Sequence, residues 1–312
     1  MSNTNQKSGG AASTGHSWDG IEELTNPVPR WWIWSFYFTV VICIIYWIVY
    51  PAWPVGKGFT TGTFNDITYN VVDKNTGEAK EVTTHWNTRA LFMADMQRGK
   101  EALKQKAYMD EVSKASFDEI LADPEKMAFA RSLAKGIYGD NCAACHGSGG
   151  TGVVGLFPNL ADDDWLWGGK VEQIQATIEH GRQGFMPAYT DTFTAEQLDA
   201  VAEYVLSLSG HSVDENKVAT GKRIFNGQEG GCYYCHTTNA TGMLSVGSAN
   251  LTDSIWTVAN VPAASNLEAK KDTVKSVVTN GISRKMPGWS ERLSANDIKL
   301  LTVFIHELGG GK

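Results

Sequence analysis

Hydrophobic and polar positions divide the chain into one uninterrupted apolar run and a longer remainder with helical periodicity. Trp31 to Tyr50 are 20 successive positions without a charge. At a rise of about 1.5 Å per residue that length matches the hydrocarbon thickness of a bilayer. Aromatic side chains gather at both ends, Trp31, Trp32 and Trp34 at one and Tyr46, Trp47, Tyr50 and Trp53 at the other, where an interfacial belt belongs. A core helix of a soluble domain would carry a polar stripe, and this run has none. The pattern predicts a transmembrane helix over 31–51, ended by Pro51 and Pro54. Lys7 and Arg30 precede it and Lys57 follows, so the positive-inside rule puts the N-terminus inside.

Residues 1–20 are rich in Ser, Gly, Thr and Asn and read as a flexible stretch within an N-terminal tail, 1–30. A linker follows the helix over 52–124. It holds alternating stretches around Asn75-Thr76-Gly77 that predict a hairpin, then a solvated helix from Trp86 to about Ser113. Beyond it the elements repeat: helix, C-x-x-C-H, a Gly- and Asn-bearing loop, helix, a Met-Pro loop and a last helix. The first copy, 125–210, places these at Met127–Tyr138, Cys142–His146, Val171–His180, Met186-Pro187 and Thr194–Leu208. The second, 214–310, places them at Lys217–Phe225, Cys232–His236, Leu267–Asn280, Met286-Pro287 and Ser294–Leu308. Gly181 and Gly281 each stand five residues before the methionine, and Thr194 and Ser294 are candidate N-caps. The fold class predicted is mainly α: one N-terminal transmembrane helix and two tandem α-helical domains.

A formal net charge of −7 excludes the basic surface that nucleic acid requires. Four of the five cysteines form two C-x-x-C pairs, and the fifth, Cys43, lies in the apolar run; a disulfide framework is not indicated. In Cys142-Ala143-Ala144-Cys145-His146 and Cys232-Tyr233-Tyr234-Cys235-His236, two thiols one helical turn apart suit thioether bonds to the two vinyl groups of one haem. The adjoining histidine then lies under the iron. A four-cysteine zinc site joins pairs about 15–20 residues apart, whereas these begin 90 positions apart. A thioredoxin-like dithiol would need a βαβ setting, which is absent. Two domains of this size are small for an apolar core alone, and a covalently held haem would supply the missing centre.

The expected cofactors are therefore two covalently bound haem c, on Cys142 and Cys145 and on Cys232 and Cys235. His146 with Met186 is expected at the first iron, and His236 with Met286 at the second. A thioether is soft and neutral, favours ferrous iron, raises the potential and closes the sixth position. The competing reading of Met186 and Met286 is plain packing; Met243 and His180 are rival ligands. His16, His85, His211 and His306 read as surface or structural. The loop Phe157-Pro158-Asn159-Leu160 is expected to offer a carbonyl to His146 Nδ1, and Trp165, Trp167 and Arg182 either wall the pocket, pair with haem propionates or simply pack. No catalytic residue is expected: the chain shows no oxygen-reducing site, and its apolar helix lacks the ionisable residues of a proton path.

Gly15-His16-Ser17-Trp18-Asp19-Gly20-Ile21-Glu22-Glu23, then Asn26-Pro27-Val28-Pro29-Arg30-Trp31-Trp32, resembles the N-terminal signature of the dihaem cytochrome c subunits (CcoP or FixP) of cbb3-type cytochrome c oxidases. The resemblance extends over 125–310, including Pro158-Asn159-Leu160-Ala161-Asp162 and Trp165-x-Trp167-Gly168-Gly169. It departs at Ala249-Asn250-Leu251, where the second loop has no proline. The resemblance implies a subunit of an oxidoreductase complex in the bacterial inner membrane, single-pass, with a cytoplasmic N-terminus and periplasmic haem domains. It implies soluble or membrane-attached cytochrome c as donor, and a monohaem cytochrome c subunit and a haem–copper catalytic subunit as partners. The alternatives are a dihaem electron-transfer subunit of another respiratory enzyme, or a dihaem peroxidase or gas sensor with an open iron.

Overall fold

The computed structural model describes residues 12–73 and 76–309; the expectations for residues 1–11, Lys7 among them, and for Asn75 lie outside the described residues. The chain divides into two units, Met1–Lys106 and Ala107–Lys312.

In the first unit, the stretch expected to be flexible carries a β-hairpin. Strand β1 (Ser13–Trp18) pairs antiparallel with β2 (Ile21–Leu24). Asp19 and Gly20 both have positive φ, at 51° and 84°. A two-residue turn of that type matches the twist of the flanking strands, and Asp-Gly is a preferred sequence for it. The composition suggested disorder, but local turn chemistry prevails.

Helix α1 (Arg30–Val49) begins after Pro29 and ends at Tyr50, whose extended conformation suits a residue before proline. None of its side chains is buried against protein, so its apolar surface faces outward all round, as lipid requires. Its hydroxyls bond back to the helix: Ser35 Oγ donates to the Trp31 carbonyl at 2.9 Å and Thr39 Oγ1 to that of Phe36 at 2.7 Å. The last carbonyls are capped from a later loop. Thr63 Oγ1 donates to Ile48 O at 3.2 Å and Asn65 Nδ2 to Val49 O.

Two short strands, β3 (Pro54–Val55) and β4 (Gly58–Phe59), pair next. Strands β5 (Ile67–Val72) and β6 (Ala79–Thr84) form the expected hairpin. The long solvated helix is broken in two: α2 (Thr88–Arg98) stops at Gly99, which is extended, and α3 (Lys100–Lys114) starts afresh. Gly99 lacks the Cβ that would meet the Asp95 carbonyl at 2.5 Å. Gln97 pins α2 to the hairpin, accepting from Asn70 N at 2.8 Å and donating to Asn70 O at 2.7 Å.

The second unit is the repeat. Helix α4 (Phe117–Ala122) leads into α5 (Pro124–Asn141), the one-turn α6 (Ala143–His146), α7 (Val171–His180), strand β7 (Arg182–Met186) and α8 (Ala195–Leu208). The second pass gives α9 (Glu215–Asn226), α10 (Tyr233–His236), α11 (Leu267–Asn280), β8 (Ile282–Met286) and α12 (Ala295–Gly309). Thr194 accepts from Gln197 N at 3.3 Å and Ser294 from Asp297 N at 3.1 Å, so both last helices are capped at the expected residues.

Among the described residues two apolar cores form, and each is completed by the other copy. Helix α12 packs on α5 and α7, and α8 packs on α9 and α11. Tyr138, Ile174 and Ile178 of the first copy are buried with Ile298, Leu301 and Phe304 of the second. Val201, Tyr204 and Leu206 of the first are buried with Ile224, Phe225 and Val274 of the second. The physical reason is β7 and β8: each is extended, leaves its own helix bundle and pairs antiparallel with the other, Arg182 opposite Met286 and Met186 opposite Ile282.

Candidate functional site

Each C-x-x-C-H forms a single helical turn. In α6, His146 N–H donates to Cys142 O at 3.0 Å, and in α10 His236 N–H donates to Cys232 O at 2.9 Å. That turn places both thiols and the imidazole along one edge. Gly147 follows the first histidine with φ 75°; its counterpart is Thr237, at φ 66°. Behind each histidine the chain loops back: Gly152 N–H donates to His146 O at 2.8 Å and Gly242 N–H to His236 O at 3.0 Å.

The loop then supplies the proximal carbonyl. His146 Nδ1 lies 3.1 Å from Pro158 O, and His236 Nδ1 lies 3.0 Å from Ala249 O. Proline is therefore dispensable at this position: Ala249 presents the same backbone oxygen. An Nδ1–H donated to a carbonyl fixes the tautomer and leaves the Nε2 lone pair free for a metal. Burial pushes both imidazoles below their usual range, the carbonyl bond opposing it in part, so the neutral, ligating form is favoured.

Burial pushes the Cys142 and Cys232 thiols up to about 11. A working dithiol pair needs a depressed thiol pKa, so the environment opposes that reading. Among the described residues no three His, Cys, Asp or Glu side chains converge as a zinc site would need.

Beside α10 opens an apolar cleft of about 790 Å³, counting the space continuous with solvent. Cys232, His236, Phe225 and Val274 line it, and so do Met186 and Ile282. A cleft with the Cys232 thiol of the attachment pair, a tautomer-locked imidazole and a thioether fits a haem c in its donor set and its apolar walls. The expected partnership set Met186 with His146; the structure brings Met186 to His236 instead. The Met286 segment runs along the first core: Trp289 N–H donates to Ile178 O at 2.9 Å, and Trp289 packs with that core.

Of the other residues singled out, Trp165 packs against the first core, and Arg182 stacks over the Trp167 ring at 5.2 Å while donating to Thr177 Oγ1 at 3.0 Å. His180 is exposed, beside Glu179. His211 bonds Ser209 Oγ at 3.2 Å. Sequence reasoning missed the buried ion cluster of Lys271 with Glu203 and Asp199. Its signal was available: Asp199 and Glu203 punctuate the apolar face of α8 at helical spacing.

Residues 10–57 match the family model described as the N-terminal domain of cytochrome oxidase-cbb3, FixP. Residues 131–205 and 216–305 each match the model described as cytochrome c oxidase, cbb3-type, subunit III. A cbb3-type cytochrome c oxidase subunit FixP of Azorhizobium caulinodans is 39% identical, covering 97% of this chain and 95% of the relative. A FixP of a Bradyrhizobium species is 40% identical, over 97% and 96%. A CcoP of Cereibacter sphaeroides is 38% identical, over 99% and 98%. With its outward-facing apolar helix and its two cytochrome c motifs, the chain belongs to the FixP/CcoP family of cbb3-type cytochrome c oxidase subunits.

Proposed function

We propose that this chain is the membrane-anchored dihaem electron relay of a cbb3-type oxidase. It takes electrons from a soluble or membrane-attached cytochrome c. It delivers them toward a monohaem cytochrome c subunit and the haem–copper subunit that reduces oxygen. The observation that carries the reading is the paired C-x-x-C-H turn, each histidine locked through Nδ1 onto a loop carbonyl. Cys142, Cys145, Cys232 and Cys235 hold two haem c by thioether bonds; His146 and His236 are the proximal ligands, and Met186 and Met286 supply one sulfur to each iron. Bound haem c supplies reversible one-electron chemistry.

The chain's own residues set the conditions of that chemistry. Apolar walls such as Phe225 and Val274 exclude water and disfavour the extra charge of ferric iron, and a neutral thioether acts in the same direction. Helix α1 holds the relay at the bilayer surface. Arg30 before it and Lys57 after it, with Lys7, favour a cytoplasmic N-terminus and periplasmic haem domains in the bacterial inner membrane. No residue of the chain is assigned an oxygen-reducing step.

Haem staining of a denaturing gel, with a pyridine haemochrome count, tests the reading. Two haems per chain surviving denaturation are expected, together with a haem–copper subunit co-purifying in mild detergent. Fewer than two covalent haems, or stoichiometric carbon monoxide binding to the ferrous protein at neutral pH, would overturn it in favour of a different cytochrome, a peroxidase or a sensor.

A further inference from the structure

We propose that the stretch 51–65, which follows α1, is a lipid-seated foot. Trp53, Val55, Phe59 and Phe64 rest in the headgroup layer of the bilayer that holds α1, and Lys57 reaches a lipid phosphate. The ligand is a phospholipid surface, and the foot fixes the depth and tilt at which the end of α1 lies. No haem takes part; only the anchoring role of α1 is assumed.

Three observations carry it. First, the stretch is fastened to the last turn of α1. Thr63 Oγ1 donates to Ile48 O at 3.2 Å, and Asn65 Nδ2 donates to Val49 O. Gly62, at φ 78°, passes so close that a β-carbon there would lie 2.1 Å from Val49 O. Trp53 meets Trp47 of the helix edge-on, with ring centres 4.7 Å apart. Between these points the chain turns back on itself. Strand β3 pairs with β4, Val55 opposite Gly58, and Thr60 Oγ1 accepts from Trp53 N–H at 3.0 Å. The stretch is therefore held at the level where an apolar helix leaves lipid.

Second, the large side chains held there are apolar and bare. Trp53, Val55 and Phe59 are half or more exposed, and Phe64 is wholly so. So dense a set of exposed apolar groups is unfavourable in water and marks a surface that meets a partner. Phe64 also has φ 62°, a left-handed conformation that strains a bulky residue and that glycine would take freely. A strained phenylalanine projecting into water gains nothing, whereas in lipid its ring is buried. Third, charge favours lipid. Lys57, in the turn between β3 and β4, is the one charged residue from Pro51 to Asn65. An ammonium on an apolar stem, among apolar neighbours, snorkels to the phosphate level. The chain as a whole, at −7, would be repelled by anionic lipid, so the absence of acidic residues from this stretch is local to the foot.

The test uses the haem-loaded full chain in vesicles of phosphatidylethanolamine and phosphatidylglycerol, with an environment-sensitive fluorophore on one reactive cysteine. Cysteines bonded to haem take no label. Phe59 and Phe64 are exposed, so Phe59→Cys and Phe64→Cys, each with Cys43→Ser, leave the packing intact. Both labels should lose most of their emission to lipid carrying a nitroxide near its headgroup, and little to aqueous iodide. Loss to iodide alone would put the labels in water, and loss to neither quencher would put them against protein; either overturns the proposal. Lys57→Glu should weaken the quenching by lipid nitroxide, and an unchanged level would refute the phosphate contact. A label on Cys43 of the unsubstituted chain, within α1, should be quenched by nitroxide deep in the acyl chains. If it is not, α1 itself is not embedded, a separate failure.

Discussion

Gly181 and the Met286 carbonyl approach so closely that a β-carbon on Gly181 would lie 2.2 Å from that oxygen. The relationship is reciprocal: a β-carbon on Gly281 would lie 2.5 Å from the Met186 carbonyl. Both glycines also have positive φ, 71° and 67°, where a side chain is strained. Each helix end is thus fitted to the methionine of the other copy. Gly181→Ala should destabilise the folded protein by about 1–3 kcal/mol and weaken the ferric sulfur-to-iron band by up to half. Denaturant titration and absorption spectra of the same sample check both.

The ion cluster predicts a non-additive pair. Lys271 is 3% exposed and Glu203 2%, and the hydrogen bond to Glu268, with those to Glu203 and Asp199, holds the ammonium above its ordinary range. Lys271→Met alone strands Glu203 in the core and should cost about 3–5 kcal/mol. Adding Glu203→Leu should recover most of that loss, because a buried ion pair replaced as a whole by apolar groups is close to neutral. A double-mutant cycle by chemical denaturation checks it, and additive losses would refute the coupling.

Helix α1 should tolerate no charge at its middle. Val41 is an outward-facing residue near its centre, and arginine there costs about 2.5–3.5 kcal/mol of insertion free energy. Val41→Arg should shift a measurable fraction of the chain from the membrane pellet to the alkaline-extractable supernatant. The same change at the exposed Leu103 of α3 should shift none.

Much of this was legible in the sequence, for local reasons. A charge-free run, a C-x-x-C-H turn, the caps Thr194 and Ser294 and the 3.6-residue apolar spacing each depend on near neighbours, so order along the chain predicts them. What escaped depended on distant partners. The pairing of Arg182–Met186 with Ile282–Met286 is a choice between segments 100 positions apart, and five residues show no distinctive period. Repeat symmetry made the assignment of Met186 to His146 natural, and nothing beside Met186 in the sequence signals that it lines the cleft of His236. The hairpin at Ser13–Leu24 was missed because composition outweighed the Asp19-Gly20 turn signal.

Asp164 should make the protein respond to pH. Burial, then repulsion from Asp253, Asp162 and Asp163, pushes its carboxyl up to about 6 from an ordinary 3.8, and its Oδ2 has no hydrogen-bond partner among the described residues. A carboxyl raised in the folded state favours folding only while neutral. Its contribution is therefore complete below about pH 4 and lost as pH rises through about 6; at pH 7 the ionised group opposes folding in full. Asp164→Asn removes that charge, so it should raise the melting temperature at pH 7.5, by about 2–4 °C per kcal/mol regained. The gain should shrink toward zero as pH falls to about 4, where the native carboxyl is itself neutral. Paired thermal melts of the haem-loaded protein and its variant across that range check the sign; a gain that grew on acidification would mean that Asp164 is instead held as a stabilised anion.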